Sequence, residues 1–306
     1  MTGAAAVLGG SALPAALRRT GLREDDAAAL GAVARRVLQS TRSLAEVDRL
    51  AGWLRAGIGV FPGERDEPGW PGYDPGADPY GTGVLPLLAL VVTEPDLTLF
   101  HRSRDVAEEV TAATLRELGQ QVWVHRLSHG TFGLHTYDWL PVTWSGSLYW
   151  LGRLQFNLQR LPDTDAAGGG WVCSAHIPRS GPLDPAAVDE SFLRAAAFFP
   201  QHFPDRPVTD LYCSSWLLDP DLAAALDPSS NMAAFQRRWH LYGEPMPGDE
   251  DAVFFTFAHR GEVDLAALPQ QTSLQRVIVA RLRSGGHWSS RQGRIALPAV
   301  AGAGPR

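Results

Sequence analysis

Residues 175–184 have the composition of an anion-binding turn. They predict the end of a strand, a turn rich in Gly and Pro, and a helix that begins at Asp184-Pro185. A helix N-terminus presents N–H groups without intrahelical partners and the positive end of the helix dipole, which suit a diphosphate. Arg179 adds a guanidinium that can make a charge-assisted hydrogen bond. An ordinary strand-to-helix loop has the same pattern, so the spacing alone leaves both interpretations open.

Several other catalytic signatures are missing from the sequence. All 27 basic residues are arginine, so there is neither a Walker A loop nor a Schiff-base lysine. No GxSxG nucleophile elbow and no HExxH zinc motif occurs. Cys173 and Cys213 form no CxxC motif, and the nine histidines are scattered along the chain. We therefore expect no metal site and no tightly bound cofactor.

Composition limits the partners that the chain can have. A net charge of −6 gives no basic field for nucleic acid or for an anionic membrane. The apolar run over 85–92 is shorter than the roughly 20 residues that cross a bilayer. The Ala-rich start over 1–17 lacks the basic region of a signal peptide. We expect a cytoplasmic protein that binds neither nucleic acid nor membranes.

The elements that must position a site change in type along the chain. Helices are predicted over 23–38, from Ser43 to about residue 54, and over 105–118, with a packed loop or a substrate-side lid over 61–83. Strands are predicted over 139–144, 148–158, 171–177, 208–213, 235–242 and 253–259, and helices over 184–199, 219–226 and 272–283. We expect an α/β (α+β) chain, with a helical N-terminal domain over 1–130 and a mixed β-sheet domain flanked by helices over 131–306.

The order of the later elements matches the later part of the GNAT acyltransferase fold, although the glycine-containing pyrophosphate signature of that fold is absent. The chain resembles a bacterial family of two-domain GNAT-like N-acyltransferases, some of which acylate the amino sugar of teicoplanin-type glycopeptide antibiotics. The segments that carry the resemblance are 108–110, 114–115, 148–156, 176–183, 202–207, 215–220, 230–231, 235–238, 274–276 and 285–288. The sequence departs from the family pattern at Ser214, where a His is common, and at Arg179-Ser180, where the turn is often acidic.

The resemblance implies direct attack of an amine on the thioester of an acyl-CoA co-substrate. The acceptor is then a small molecule, for example an amino sugar or another specialised metabolite. In this setting His176 is the candidate base, because an imidazole titrates near neutral pH; a structural or packing role in the strand is the alternative. Ser214 or Ser215, or Tyr212 in their place, is expected to donate to the thiolate leaving group. Backbone N–H groups near His176 and Ile177 are expected to stabilise the oxyanion.

The resemblance also assigns the binding surfaces. The pantetheine of the acyl donor is expected between the strands predicted over 171–177 and 208–213. Contacts to the donor are expected at Ile177, Arg179, Ser180, Gly181 and Asp184, and a substrate pocket at Trp216, Phe235 and Trp239. A role for Trp216, Phe235 and Trp239 in the core is the alternative, and Cys173 and Cys213 are expected to be small buried residues.

Two other functions fit the same fold. One is a non-catalytic module that binds acyl-CoA, and the other is a thioester hydrolase. Release of free thiol only when an amine is present distinguishes the acyltransferase from both.

Overall fold

The computed structural model describes residues 3–64, 69–166 and 168–298. The chain divides into two compact units, Met1–Trp150 and Leu151–Arg306. This division lies beyond the boundary predicted between residues 130 and 131. The reason is that the strand predicted over 139–144 is a short helix with Pro141 in its first turn, so helical structure continues past Gly130.

Unit 1 is built from helices up to Trp144 in the part that the structure describes. These are α1 Ala4–Leu8, α2 Leu13–Arg19, α3 Glu24–Leu38, α4 Thr41–Gly57, α5 Val84–Ser103, α6 Glu108–Leu115, α7 Glu117–His129 and α8 Leu140–Trp144. The helix predicted over 23–38 is confirmed as α3. The next helix, α4, begins earlier than predicted, because Ser40 rather than Ser43 is its N-cap and accepts a hydrogen bond from the Ser43 amide at 3.2 Å.

Helix α5 lies at the centre of the unit 1 core. By length and mean hydropathy it could cross a membrane, but 72% of its most apolar stretch is buried inside the folded chain, as in the core helix of a globular unit. Glu94 of this helix is buried, and its carboxylate binds the Arg19 guanidinium at 2.6 and 3.2 Å. Thr98 donates to the same carboxylate at 2.9 Å. The buried charge is therefore paired, as burial of a carboxylate requires.

The segment over 61–83 packs onto the helices of unit 1 where it is described. Trp70 Nε1 donates to the Tyr137 carbonyl at 3.0 Å, and the Tyr73 hydroxyl donates to Asp78 at 2.9 Å. The Gly83 amide donates to the Tyr73 hydroxyl at 2.8 Å. These bonds agree with the predicted packed loop; residues 65–68, including Pro68, lie outside the described residues.

Unit 2 contains most of a six-stranded sheet with helices. The strands are β1 Leu148–Leu151, β2 Leu154–Leu161, β3 Gly170–His176, β4 Asp210–Ser215, β5 His240–Pro247 and β6 Ser289–Ala296, in the order β1-β2-β3-β4-β6-β5. The helices are α9 Pro185–His202, α10 Pro220–Ala225, α11 Asn231–Gln236, α12 Asp249–Phe257 and α13 Ser273–Arg283. The pair β3–β4 is parallel, and β2–β3, β4–β6 and β5–β6 are antiparallel. The predicted fold class is confirmed.

Besides the strand predicted over 139–144, other predicted elements are wrong in type or extent. The strand predicted over 148–158 is two strands, β1 and β2. The strand predicted over 253–259 is the second half of α12, because Asp249, Glu250 and Asp251 fill the first turn, where carboxylates favour a helix. The strand predicted over 235–242 is divided between the end of α11 and the start of β5. The helix predicted over 105–118 is divided between α6 and α7, with Asp105 at a φ of 55° before it.

A matched pair of glycines tests how tightly unit 1 is packed. Both Gly83 and Gly130 have φ near +70°, so alanine at either position carries backbone strain of about 1–2 kcal/mol. A Cβ at Gly83 would lie 2.0 Å from the Leu134 carbonyl oxygen, whereas one at Gly130 would meet nothing within 4 Å. We expect Gly83→Ala to lower the free energy of unfolding by about 1–3 kcal/mol more than Gly130→Ala, measured by urea denaturation. Equal losses of unfolding free energy in the two variants would show that the backbone around Leu134 shifts to accommodate the added methyl group.

Candidate active site

The centre of the sheet contains the two strands between which the acyl donor is expected, β3 and β4, and they are parallel. The pairing joins Cys173 to Leu211 and Ser174 to Tyr212. It stops there, although β3 runs on to His176 and β4 to Ser215. The carboxyl ends of the two strands therefore continue without shared ladder hydrogen bonds. Such an opening leaves backbone groups that a ligand inserted between the strands can bind.

His176 stands at the end of β3, beside this opening. Its Nε2 lies 2.6 Å from Oδ1 of Asn157, a buried residue of β2, while Nδ2 of Asn157 donates to the Leu158 carbonyl at 3.0 Å. Because Oδ1 can only accept, His176 Nε2 carries the proton and Nδ1 carries the lone pair. Asn157 thus fixes the tautomer of the candidate base.

The protonation of His176 differs from the expectation of titration near neutral pH. Burial lowers the pKa of His176 to about 4, because the charged imidazolium is poorly solvated there. The ring is therefore neutral at pH 7 and has Nδ1 as a proton acceptor. Its basicity is lower than that of an exposed histidine.

The two predicted serines lie at the end of β4. Ser215 Oγ accepts a hydrogen bond from the Leu217 amide at 3.1 Å and so caps the 3-10 turn Trp216–Leu218. Ser214 is exposed, and it lies on the same face of β4 as Tyr212. Burial raises the pKa of Tyr212, so its hydroxyl stays protonated. The structure thus places both serines on the strand that pairs with β3, and their catalytic role stays a prediction.

The turn that follows β3 is held by an arginine that the sequence analysis did not select. The Arg153 guanidinium donates to the carbonyls of Gly181, Pro182 and Pro178 at 2.5, 2.7 and 3.2 Å. It also donates to Ser180 Oγ at 3.2 Å. A guanidinium has five donors in a fixed fork, so one side chain can fix the whole turn. The alternation of Arg153 with the apolar residues of β2 was the only signal in the sequence.

The N-terminus of α9 differs from the predicted diphosphate site, because its first amides are already hydrogen-bonded. Asp184 Oδ1 accepts hydrogen bonds from the amides of Ala186 and Ala187, both at 3.1 Å, and Pro185 has no N–H. The predicted helix start is confirmed, but these amides already have partners. The carboxylate would also repel a phosphate. Arg179 is exposed, with Nη1 3.1 Å from the Phe255 carbonyl, and is the cationic group on this turn.

The three aromatic residues predicted to line a substrate pocket lie in the core of unit 2. Trp216, Phe235 and Trp239 are 4%, 1% and 6% exposed, which leaves almost no surface for a ligand. Trp216 belongs to a cluster with Leu222 and Trp288. Phe235 packs on Trp239 with ring centroids 5.6 Å apart. Their positions therefore match the core alternative.

The two cysteines are buried thiols, as predicted. Cys173 and Cys213 are free and fully buried on β3 and β4. Burial raises the pKa of Cys213 to about 12 and that of Cys173 well above its ordinary value. Neither forms a thiolate at neutral pH, so neither is suited to act as a nucleophile.

Unit 1 contains an apolar cavity of about 240 Å³ that sequence analysis did not predict. Its walls include Trp53, Trp70 and Trp144, and Asp138 is the acidic residue in the lining. Burial raises the pKa of Asp138. The combination suits an apolar group that carries a hydrogen-bond donor. The ring contact between Trp53 and Trp70 joins α4 to the loop over 61–83. Because the cavity depends on this tertiary contact, the order of residue types along the sequence could not reveal it.

A mixed sheet whose central parallel strands stop pairing at their carboxyl ends is the arrangement expected of the GNAT-like fold, and the comparisons with known proteins agree. Residues 11–146 match the N-acyltransferase N-terminal domain, and residues 148–295 match the GNAT-like C-terminal domain. The chain belongs to the family of two-domain GNAT-like N-acyltransferases and is an acyl-CoA-dependent acyltransferase, with acyl-CoA as its co-substrate.

Solved structures of acyltransferases are similar over almost the whole chain. One, in complex with decanoyl-CoA and teicoplanin, is 33% identical, with 92% of this chain and 86% of that chain covered and a TM-score of 0.83. Another, in complex with CoA and 10C-teicoplanin, is 32% identical, with 94% and 88% covered and a TM-score of 0.85. A mutant in complex with octanoyl-CoA is 33% identical, with 94% and 88% covered and a TM-score of 0.83. No curated protein matches the chain.

The role of His176 is testable by removing its basic nitrogen. His176→Gln keeps a polar side chain of similar reach but cannot take a proton. Because a positioned general base contributes about 10²–10⁴-fold, we expect the turnover rate to fall by that factor while acyl-CoA binding is retained. Thiol release and calorimetry measure the two quantities. Normal turnover would reject the role, and unfolding would indicate a structural one.

Asn157→Asp supplies a readout that a purely structural role would not change. A carboxylate beside Nε2 stabilises the imidazolium and raises the pKa of His176 above its present value of about 4. As the pH falls, the His176 ring then becomes protonated, and stops acting as a base, at a higher pH than in the wild type. We expect the acidic limb of the pH–rate profile to move to higher pH in the variant. A limb at the same pH as in the wild type would show that His176 is not the base.

Arg179 is predicted to bind the phosphates of the donor. Loss of a charge-assisted hydrogen bond costs about 1–3 kcal/mol, so Arg179→Ala should weaken acyl-CoA binding by roughly 5–150-fold. Arg283→Ala, at an exposed arginine at the end of α13, is the control and should bind normally. Unchanged affinity in the Arg179 variant would show that this side chain does not bind the donor.

Proposed function

We propose that the chain transfers a medium- or long-chain acyl group from acyl-CoA to the amine of a glycopeptide-type acceptor, for example at an amino sugar. The observation that carries this proposal is the similarity, at 33% identity over 92% of the chain, to an acyltransferase in complex with decanoyl-CoA and teicoplanin. The complexes with 10C-teicoplanin and octanoyl-CoA support the same classes of acceptor and acyl group.

In the proposed reaction the amine nitrogen attacks the thioester carbonyl carbon. The carbonyl oxygen gains negative charge, which the backbone N–H groups near His176 and Ile177 stabilise. Nδ1 of His176 accepts the proton that the attacking nitrogen loses. The tetrahedral intermediate then collapses with cleavage of the C–S bond. The products are an amide and CoA, whose thiolate takes up a proton, with Ser214 or Ser215 as the neighbouring hydroxyl.

The geometry around His176 supports this order of events. The hydrogen bond from Nε2 to Asn157 leaves the lone pair on Nδ1, and the low pKa keeps the ring neutral before the amine attacks. The Arg153 bonds hold the turn that begins directly after the candidate base. The ordered turn fixes the position of Arg179 relative to β3, which suits contact with the phosphates of the donor.

The acceptor class can be tested with the purified chain. With decanoyl-CoA and a teicoplanin derivative that lacks its acyl chain, we expect free thiol release that depends on the glycopeptide, and an amide product one decanoyl group heavier by mass spectrometry. N-acetylation of the acceptor amine should abolish both signals. The variant His176→Gln is the control for uncatalysed acylation.

Each other outcome identifies a different function. Thiol release without acceptor would indicate a thioester hydrolase. Binding of decanoyl-CoA without release under any acceptor would indicate a non-catalytic module. Release with simple amino sugars but not with the glycopeptide would retain the acyltransferase and reject the proposed acceptor class.

A further inference from the structure

Three of the nine histidines come together in unit 1. His125 and His129 lie one turn apart on α7, on the same face of the helix, and His135 follows the turn at Gly130. One ring nitrogen from each histidine lies within 4.8 Å of those from the other two. The sequence analysis regarded the histidines as scattered, because the reversal of the chain after α7 brings His135 back to the helix.

The spacing of the ring nitrogens is close to that of a metal site. Zn–N distances of about 2.0–2.1 Å place two ligands of a tetrahedral ion about 3.3 Å apart. Nδ1 of His125 and Nδ1 of His135 share a hydrogen bond at 3.2 Å, so the two nitrogens have the spacing of one tetrahedron edge, and a metal ion would replace the shared proton. His129 is exposed, and rotation of its side chain can shorten the longer separations.

The hydrogen bonds show which nitrogens carry lone pairs. Nδ1 of His129 lies 3.3 Å from the His125 carbonyl, which can only accept, so Nδ1 donates and Nε2 keeps its lone pair. The His135 amide donates to Nδ1 of His125 at 2.9 Å, so this lone pair is engaged and a metal ion at Nδ1 would have to displace the amide. A bond from one ring nitrogen to a backbone carbonyl is the usual way in which a metal-binding histidine is oriented.

The local charge also permits a cation. Arg126 is adjacent to His125, but its Nε binds Oδ1 of the buried Asp26 at 3.0 Å. The ion pair offsets the arginine charge. Because His129 lies at the surface, a metal ion and a water ligand can reach the cluster from solvent.

We propose that His125, His129 and His135 form a binding site for a divalent transition-metal cation of the zinc type, with water in the fourth position. Imidazole ligands favour Zn²⁺, Ni²⁺ and Cu²⁺ over Mg²⁺ and Ca²⁺. A bound ion ties the end of α7 to the segment whose Leu134 amide donates to the Thr82 carbonyl at 2.8 Å. The site therefore stabilises unit 1.

The test uses the full chain without a histidine tag, freed of metal by a chelator and then titrated with Zn²⁺. We expect one Zn²⁺ per chain by competition with a chromophoric chelator, and a rise in the unfolding temperature of unit 1 because the ion binds only the folded form. Co²⁺ in place of Zn²⁺ should give the visible absorption bands of a four-coordinate ion. Mg²⁺ should give neither effect.

His129→Ala is the informative variant, because this exposed side chain is a proposed ligand. We expect it to weaken Zn²⁺ binding at least about tenfold and to abolish the thermal shift. His240→Ala, at an exposed histidine of β5, is the matched control and should bind as the wild type. Equal Zn²⁺ affinity in both variants, or binding by the wild type below one ion per chain, would overturn the proposal. If His129→Ala is misfolded by circular dichroism, His129→Gln replaces it.

Discussion

The end of hydrogen-bonded pairing between β3 and β4 is the constraint around which unit 2 is arranged. Two adjacent parallel strands normally satisfy each other's N–H and C=O groups, and the pairing here ends at Ser174 and Tyr212. Backbone groups beyond that point need another partner, and pantetheine carries two amides of its own. The sheet is otherwise continuous on both sides, through β2 and through β6. The opening therefore persists because the flanking pairs hold each strand in place.

Two side chains determine what can happen at that opening, and each comes from a neighbouring element. Asn157 on β2 orients His176, and Arg153, directly before β2, holds the turn that follows His176. Asp184 engages the amides of Ala186 and Ala187, so the predicted contact with phosphate falls on the turn and on Arg179 rather than on the helix terminus. A substitution in β2 can therefore alter catalysis and donor binding without contact with either substrate.

Sequence patterns predicted the elements whose signals are local. The helix predicted over 272–283 is confirmed as α13, which begins with a reciprocal capping box between Thr272 and Gln275, and α9 begins at the predicted Asp184-Pro185. Strand β6 was missed because its residues are mostly polar and its stability comes from pairing with β4 and β5, which are distant in the sequence. In the same way His176 was selected from its position, but its partner Asn157 depends on the register of β2 against β3.

The low pKa of His176 places a condition on the acceptor. A base with a pKa of about 4 is always neutral near pH 7, but it cannot compete for the proton of an alkylammonium with a pKa of about 10.4. The nitrogen of the tetrahedral intermediate is far more acidic than the free ammonium, so His176 can accept its proton only after attack. The amine must therefore arrive uncharged. Electron-withdrawing oxygens on neighbouring carbons lower the pKa of an amino-sugar nitrogen below that of a lysine side chain, so a larger fraction is uncharged at neutral pH. With His176 as the proposed base, the amino sugar proposed as acceptor meets this condition more readily than an alkylamine does.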